Sequence, residues 1–180
     1  MFFALRHCKL NLTKGRSSAG KDEQPLYDKK VHRSIWKNGK KVLNSAEFKQ
    51  AQEQVHHHHT TVGVHSLHVA ETSLRLHYLL QKAGLQTDEK ALVIGALCHD
   101  LGMLDRDAKF ANNRECCRKH PQDSAEIAEH LVGDLDPKTA DIIRRHMFPA
   151  TPVPPNSIEG FIVSIADKYV SVRDLVAEHL

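Results

Sequence analysis

The apolar run ALVIGALCHDLGM, residues 91–103, carries a histidine and an aspartate where its hydrophobic character gives way. Burying His99 and Asp100 would cost free energy unless a partner compensates them. A helix end that emerges from a core would leave both side chains solvated. Alternatively, an imidazole nitrogen and a carboxylate oxygen together can bind a metal ion. The choice depends on whether further ligands of these types occur elsewhere in the chain.

Four more residues of the same chemical types fall on or beside other predicted helices. They are His65, His120, His146 and Asp167. Taken singly, such a histidine is more often solvated or hydrogen-bonded than a ligand. Taken together, these residues can converge at the centre of a helical bundle, where metal sites are commonly built. The expected cofactor is one or two divalent transition-metal ions (Fe, Mn, Co, Ni or Zn), with the Asp100 carboxylate as the natural bridge.

Helical signals dominate the chain from residue 44 onward. Apolar spacing predicts helices over 46–54, 64–83 and 89–100. Asn44 or Ser45 is the expected cap of the first, and Thr87 or Asp88 begins the third. Gly95 lies inside the third of these and indicates a close contact between helices. Strand-like alternation is not persuasive anywhere.

Three further helix starts are predicted from proline and capping residues. Pro121 is expected to begin one helix at a first-turn position, and Asp136 with Pro137 the next. Asn156 and Glu159 form a possible capping box for a helix that runs to the C-terminus. The sequence therefore predicts an all-α bundle with short connections.

The first 43 residues differ from the remainder in charge. They contain 11 Lys and Arg against 3 Asp and Glu, whereas the remainder contains 14 against 19. They are also rich in Gly, Ser and Lys and lack an apolar helical stripe. We therefore predict a basic, partly irregular N-terminal extension over 1–43 and one helical domain over 44–180.

Two interpretations of this basic extension remain open. A nucleic-acid-binding arm is the functional one. We favour a solvated extension that packs through a few apolar side chains, because charge runs are common without any binding role. Those side chains are Leu26, Tyr27, Ile35 and Trp36.

The apolar run at the start of the chain has only five residues before Arg6. It is too short for a signal peptide or a membrane span. The four cysteines show no C-x-x-C spacing, so reduced thiols are expected. We accordingly predict a cytoplasmic protein without membrane contact.

Around the candidate ligands the sequence resembles the HD superfamily of metal-dependent phosphohydrolases. The resemblance covers roughly residues 55–175 and rests on the order H…HD…D. VHSLHVAETS surrounds His65, GALCHDLG contains His99 and Asp100, and IADKYVSVRD contains Asp167. It implies the HD-domain helical bundle, with one metal ion held by these four residues.

Two other stretches resemble the branch of this family with an extended ligand set. KHPQDSAEIAEHL contains His120, and IIRRHMFPATPVPPNSIEGFIVSIADKY contains His146. By this resemblance a second ion is reached by Asp100, His120 and His146. His57 matches a histidine that small bacterial members place at the cleft edge. For the whole run of four histidines, 56–59, we nevertheless favour a solvated tract that binds metal adventitiously or reflects cloning.

The sequence also departs from the family pattern. Met103 stands where many members have a phosphate-binding lysine, and the Gly-Tyr-Pro element of the cyclic-dinucleotide branch is absent. That branch's substrate is therefore not expected here. Among the nearby cations, Lys168 is the preferred phosphate contact, and with Asp100 it is a predicted catalytic residue.

The predicted function is a metal-dependent phosphohydrolase that acts on a small phosphate ester or nucleotide through metal-activated water. One alternative is a mixed-valent di-iron oxygenase, because some HD-fold proteins with a similar ligand order cleave C–C or C–P bonds. Another is a non-catalytic module that binds a nucleotide or, through the basic extension, nucleic acid. A small phosphorylated substrate is the expected partner, and nucleic acid is the less favoured one.

Overall fold

The computed structural model describes residues 24–57 and 60–177, and this part of the chain is largely helical. The helices are α1 (Gln24–Leu43), α2 (Ala46–Glu53), α3 (Val62–Lys82), α4 (Glu89–Cys98), α5 (Arg106–Lys109), α6 (Asn113–Val132), α7 (Pro137–Arg145) and α8 (Ile158–Ala177). A 3-10 turn, η1, spans Leu101–Met103. Two short antiparallel strands, β1 (Val55–His57) and β2 (Thr60–Thr61), separate α2 from α3. The all-α prediction is confirmed.

Helix α4 occupies the middle of the bundle and contacts α1, α3, α6, α7 and α8. Every residue from Ala91 to Cys98 is buried. A helix covered on all sides needs apolar residues all round, so this segment reads as a continuous hydrophobic run. Gly95 permits the close contact predicted for it, because a Cβ there would lie only 2.6 Å from Cγ2 of Ile142 in α7.

Helix α1 occupies the second half of the segment that was predicted to be a partly irregular extension without an apolar stripe. Val31, Ile35 and Val42 are buried at helical spacing, and the helix packs against α3, α4 and α6. Gly39 faces the core as well, because a Cβ there would lie 2.3 Å from Cδ1 of Leu97. The segment 31–42 therefore carries an apolar stripe, contrary to the prediction.

The expected anchors of the basic segment behave differently from one another. Ile35 is 5% exposed, whereas the Trp36 side chain is 47% exposed. The side chains of Leu26 and Tyr27 lie outside the described residues, as do residues 1–23. The division of the chain at residue 43 stays a prediction.

Several predicted helix starts agree with the structure. An N-cap side chain accepts a hydrogen bond from a backbone N–H three residues later in each of these helices, which satisfies a first-turn donor. The caps are Ser45 for α2, Asp88 for α4 and Asp136 for α7.

The predicted start at Pro121 is wrong. Helix α6 begins at Asn113, and Asn112 caps it by accepting a hydrogen bond from the Glu115 N–H at 2.9 Å. Pro121 therefore lies inside the helix and is buried. Proline has no backbone N–H, so the helix forgoes one hydrogen bond at this point and continues.

The predicted capping box at the start of α8 is also wrong. Ser157 takes the capping position, and its Oγ accepts from the Gly160 N–H at 3.2 Å. The Glu159 carboxylate instead accepts from the Asp88 N–H at 2.7 Å, at the start of α4. Asn156 donates to Asp141. A buried glutamate thus joins the beginnings of two helices.

Candidate metal centre

Five helices and the residues that end them bring six polar side chains together inside the bundle. All are buried, with 8% exposure or less. They are His65, His99, Asp100, His120, His146 and Asp167, the six residues predicted as ligands. Polar groups at this depth cost free energy unless they compensate one another or bind a cation.

Asp100 lies between two pairs of histidines. Its Oδ2 is 3.2 Å from Nε2 of His99 and 3.8 Å from Nε2 of His65. Its Oδ1 is 3.3 Å from Nε2 of His120 and 3.4 Å from Nε2 of His146. One carboxylate therefore faces a different pair of imidazoles with each oxygen, as a ligand shared by two ions would.

Asp167 completes the first of these groups. Its Oδ1 lies 3.0 Å from Nε2 of His65 and 3.8 Å from Nε2 of His99. The six residues form three overlapping sets, and within each set the ligand atoms all lie within 4.8 Å of one another. They are His65 with His99 and Asp100, His99 with His146 and Asp167, and Asp100 with His120 and His146. The first and the third of these sets each fall within one of the two ligand groups that the resemblance to the HD superfamily implies. The second set takes residues from both groups.

The ring orientation of three of the histidines is fixed by their own helices. Each Nδ1 bonds a backbone carbonyl one turn earlier, at 2.7–2.8 Å. The pairs are His99 with Ala96, His120 with Cys116 and His146 with Ile143. A proton on Nδ1 donates to that carbonyl, which leaves the Nε2 lone pair directed at the centre.

The chain leaves α4 through a turn that rests directly on α6. A Cβ on Gly102 would lie 2.3 Å from the His120 carbonyl oxygen and 2.7 Å from the Ser124 nitrogen. The Gly102 N–H also donates to Oγ of Ser124 at 2.8 Å. Only glycine permits this approach, so the short distance between Asp100 and His120 depends on the glycine that follows the His-Asp pair.

Helix α2 holds the other side of this turn, through residues that the sequence analysis did not identify. The side chain of Gln54 donates to the Met103 carbonyl at 2.7 Å and accepts from the Asp105 N–H at 2.8 Å. Asp105 has a left-handed backbone, with φ 58°. No sequence signal links Gln54 to residues 49 and 51 positions away, so only the fold shows this role.

Burial and charge act against each other in the cluster. Burial opposes protonation of His99, but Asp100 and Asp167 raise its pKa to about 10. Burial likewise opposes protonation of His120, but its hydrogen bond to Asp100 raises the pKa of this histidine to about 9. For His146 burial outweighs the carboxylate and lowers the pKa to about 4. The carboxylates thus favour nearby positive charge, which protons on two imidazoles or a divalent cation can supply.

Lys168 has contacts at the edge of the cluster. Its Nζ donates to Oδ2 of Asp167 at 3.0 Å and to the His146 carbonyl. Its side chain is 36% exposed. The ammonium therefore links two of the candidate ligands while it remains in reach of solvent. The side chain of His57 lies outside the described residues, and so do residues 58 and 59.

A scan against family models matches the HD domain to residues 62–171, which is more than half of the chain. The chain belongs to the HD domain family. The matched range includes all six clustered residues. Searches of curated proteins and of solved structures found no match.

HD domains bind divalent metal ions, are generally hydrolases, and as phosphohydrolases take phosphate-containing substrates. The donor set of this HD domain fits such an ion, since four imidazole nitrogens and two carboxylates suit a divalent transition metal. Nε2 of His99 supports the fit, because it is buried without an aligned hydrogen bond among the described residues. Among the described helices, none has both the length and the apolar character needed to cross a membrane.

Proposed function

We propose that this HD domain is a metal-dependent phosphohydrolase that acts on a small phosphate ester or nucleotide. The observation that carries the proposal is the position of Asp100, whose two oxygens face separate pairs of histidines. Two-metal hydrolytic sites hold their ions only ~3.5–4 Å apart, a separation that one carboxylate with an oxygen on each side could span.

The ligands divide into two groups that share Asp100. His65, His99 and Asp167 would join it around one ion, and His120 with His146 would join it around the other. When bound, the ions activate water and neutralise the charge of the phosphate. The chain's own contribution is orientation, since the hydrogen bonds from Nδ1 to backbone carbonyls hold three rings with Nε2 inward.

Lys168 would serve both as a positioning residue and as a phosphate contact. An ammonium has three N–H donors, and Asp167 and the His146 carbonyl engage two of them. The third can donate to a phosphate oxygen. This contact would replace the lysine that many relatives carry where Met103 stands, since the Met103 side chain is apolar and buried.

The test combines metal analysis with a panel of phosphate esters and nucleotides, using tag-free protein. We expect about two ions per chain and phosphate release with Mn, Co or Ni under anaerobic conditions. A matched variant with glutamine at the four histidines 56–59 should keep the same ion count, which separates the buried centre from adventitious binding by that run.

The same ligand set would also suit a mixed-valent di-iron oxygenase, so the test needs an aerobic arm. Bound iron with a mixed-valent EPR signal and oxygen consumption, without phosphate release, would contradict the proposal. Metal-free protein that only binds nucleotides would contradict it as well.

A further inference from the structure

The outward face of α8 carries a stripe of large apolar side chains. These six are each 39–61% exposed and lie three or four residues apart along the helix: Ile158, Phe161, Ile165, Tyr169, Val172 and Val176. This spacing places them on one side of the helix over its full length. We call this set the α8 stripe.

The opposite side of α8 is the one that packs in the domain. Ile162, Val163, Ala166 and Val170 are buried there, and the helix contacts α3, α4 and α7. Asp167 points to the same side and reaches the metal centre. Helix α8 is therefore apolar on two faces, and within the described residues the core covers only one of them.

Charged residues do not interrupt the α8 stripe. Glu159 and Asp167 are buried on the core side. Lys168 is engaged with Asp167, and Arg173 bonds Asp174 and the His68 ring. The stripe is consequently an uncharged surface, which suits burial against another apolar face.

We propose that the α8 stripe pairs with the same stripe of a second copy of this chain, with the two helices antiparallel. The positions of the stripe are nearly symmetric about residue 167. Ile158 and Val176 lie nine residues to either side, and Ile165 and Tyr169 lie two residues to either side. Phe161 and Val172 lie six and five residues away.

A two-fold axis at the middle of α8 would use this symmetry. It places Ile158 of one copy beside Val176 of the other, Ile165 beside Tyr169, and Phe161 beside Val172. Each apolar side chain then meets another apolar side chain, as an isologous interface requires.

The exposed area of the stripe agrees with a dimer interface. The six side chains of the stripe, at this size and exposure, amount to roughly 600 Å², and the neighbouring Leu175 at 54% exposure adds roughly 100 Å². A standard interface buries ~800 Å² per partner, whereas the largest apolar patch on a typical monomer is ~300–600 Å². The metal centre lies on the other side of the helix, so pairing leaves it unobstructed.

Sedimentation equilibrium tests the assembly. We expect the full chain to show twice its 20.3 kDa mass. The double variant Ile165→Glu with Val172→Glu should sediment as a monomer, because it places like charges in the stripe. Leu79→Glu is the matched control, since Leu79 is 62% exposed on α3, outside the stripe, and this variant should stay dimeric.

Cross-linking tests the orientation and does not depend on a variant that could misfold. In chains with Cys8 and Cys117 replaced by serine, Ile158→Cys and Val176→Cys are made separately, mixed and treated with a short bismaleimide. Antiparallel pairing predicts a cross-link between the two variants and none within either alone, because like positions would be roughly 27 Å apart at 1.5 Å per residue.

Three results would overturn the proposal. One is a wild-type chain that stays monomeric at the highest soluble concentration. Another is a monomer in which a cysteine placed at Ile165 resists maleimide labelling, which would assign the cover to another segment of the same chain. The third is a dimer in which Ile158→Cys cross-links to itself, which would mean parallel pairing.

Discussion

Two clusters of histidine and carboxylate lie between α3 and α4, at opposite ends of these helices. One is the candidate metal centre. The other joins His77, at the end of α3, to Glu89, at the start of α4. His77 and His99 are both buried, and each has an Nε2 without an aligned hydrogen bond among the described residues. An unsatisfied imidazole nitrogen is therefore not by itself a mark of a metal site.

The two clusters differ in the groups that surround the carboxylate. Glu89 accepts hydrogen bonds from Ser34, Asn38 and Tyr78, which are neutral donors on α1 and α3. Burial opposes ionisation of Glu89, yet these bonds hold its pKa below the ordinary value. Asp100, in contrast, faces four imidazoles. Neutral donors satisfy an anion permanently, whereas imidazoles satisfy it only with a proton or a metal ion.

The largest expected effect tests this contrast directly. Asp100→Ala should remove bound metal and activity together, because both groups of ligands lose their shared anion. Loss of a ligand should exceed the 10–100-fold decrease in affinity that is typical of outer hydrogen-bonding partners, so we expect more than ~100-fold. Titration calorimetry and phosphate release measure it. Retention of full metal content and turnover by this variant would refute the HD assignment of the site.

The next prediction separates the two groups of ligands. His120→Ala or His146→Ala should lower the metal content from about two ions towards one, whereas His65→Ala and Asp167→Ala should weaken the other site. His130→Ala is the control, because it removes an exposed histidine from α6. Elemental analysis after dialysis gives the counts. If loss of His120 leaves two ions per chain, the histidine is not a ligand of the second site.

Lys168→Ala should have a smaller effect, since it removes a partner of Asp167 and not a ligand. We expect ~10–100-fold weaker metal binding, as for other outer partners of ligands, and a higher KM. Lys168→Arg should restore part of both, because it keeps the positive charge. If metal affinity is unchanged in Lys168→Ala and only KM rises, Lys168 acts on substrate alone.

Substitution of Glu89, in the cluster with His77, should lower the free energy of unfolding without changing the number of bound metal ions. Glu89→Ala removes an acceptor from Ser34, Asn38 and Tyr78, and an unsatisfied buried donor such as the Ser34 hydroxyl costs about 1–3 kcal/mol. Denaturant unfolding should show this loss, while the number of bound ions stays that of the wild type. A decrease in bound metal would mean that the two clusters are not independent.

The smallest expected effect concerns pH. Burial lowers the pKa of His77 below its ordinary value of 6.5, so on acidification the unfolded chain takes up a proton before the folded one does. The contribution of neutral His77 to stability is complete above about pH 6.5 and decreases as the pH falls towards its folded-state pKa. His77→Gln should reduce the slope of unfolding free energy against pH in this interval. An unchanged slope would contradict the role of His77.

Local signals predicted much of this fold from the sequence. Ser45, Asp88 and Asp136 cap helices because each contacts a backbone N–H only three residues away. The apolar pattern did not predict α1, because contacts with residues distant in sequence determine which of its positions are buried. Ser34 and Asn38 interrupt the apolar stripe of α1, yet both bond Glu89, which is more than 50 residues away in sequence.

The candidate site divides in the same way. The residue types and their order indicated the six side chains that converge, whereas their supports were not evident. The predicted helix start at Pro121, which would have put His120 just before a helix, was wrong, since Pro121 lies inside α6. His120 lies in the middle of α6, and it is close to Asp100 because Gly102 packs against the backbone of α6. This contact joins residues that are distant in sequence, so no local signal predicts it. The hydrogen bonds of Gln54 and Ser124 to the turn after Asp100 likewise join residues that are far apart in sequence.

The contact of Gly102 with α6 also bears on which ions the centre can accept. Because main chain touches main chain there, the spacing between the Asp100 and His120 backbones is set by van der Waals radii. Rotation of side chains can adjust the bond lengths at an ion but cannot widen this gap. If the six residues bind two ions, this contact would hold the Asp100 and His120 backbones at one separation, and the packing of α6 against the turn would limit the ionic radii that fit.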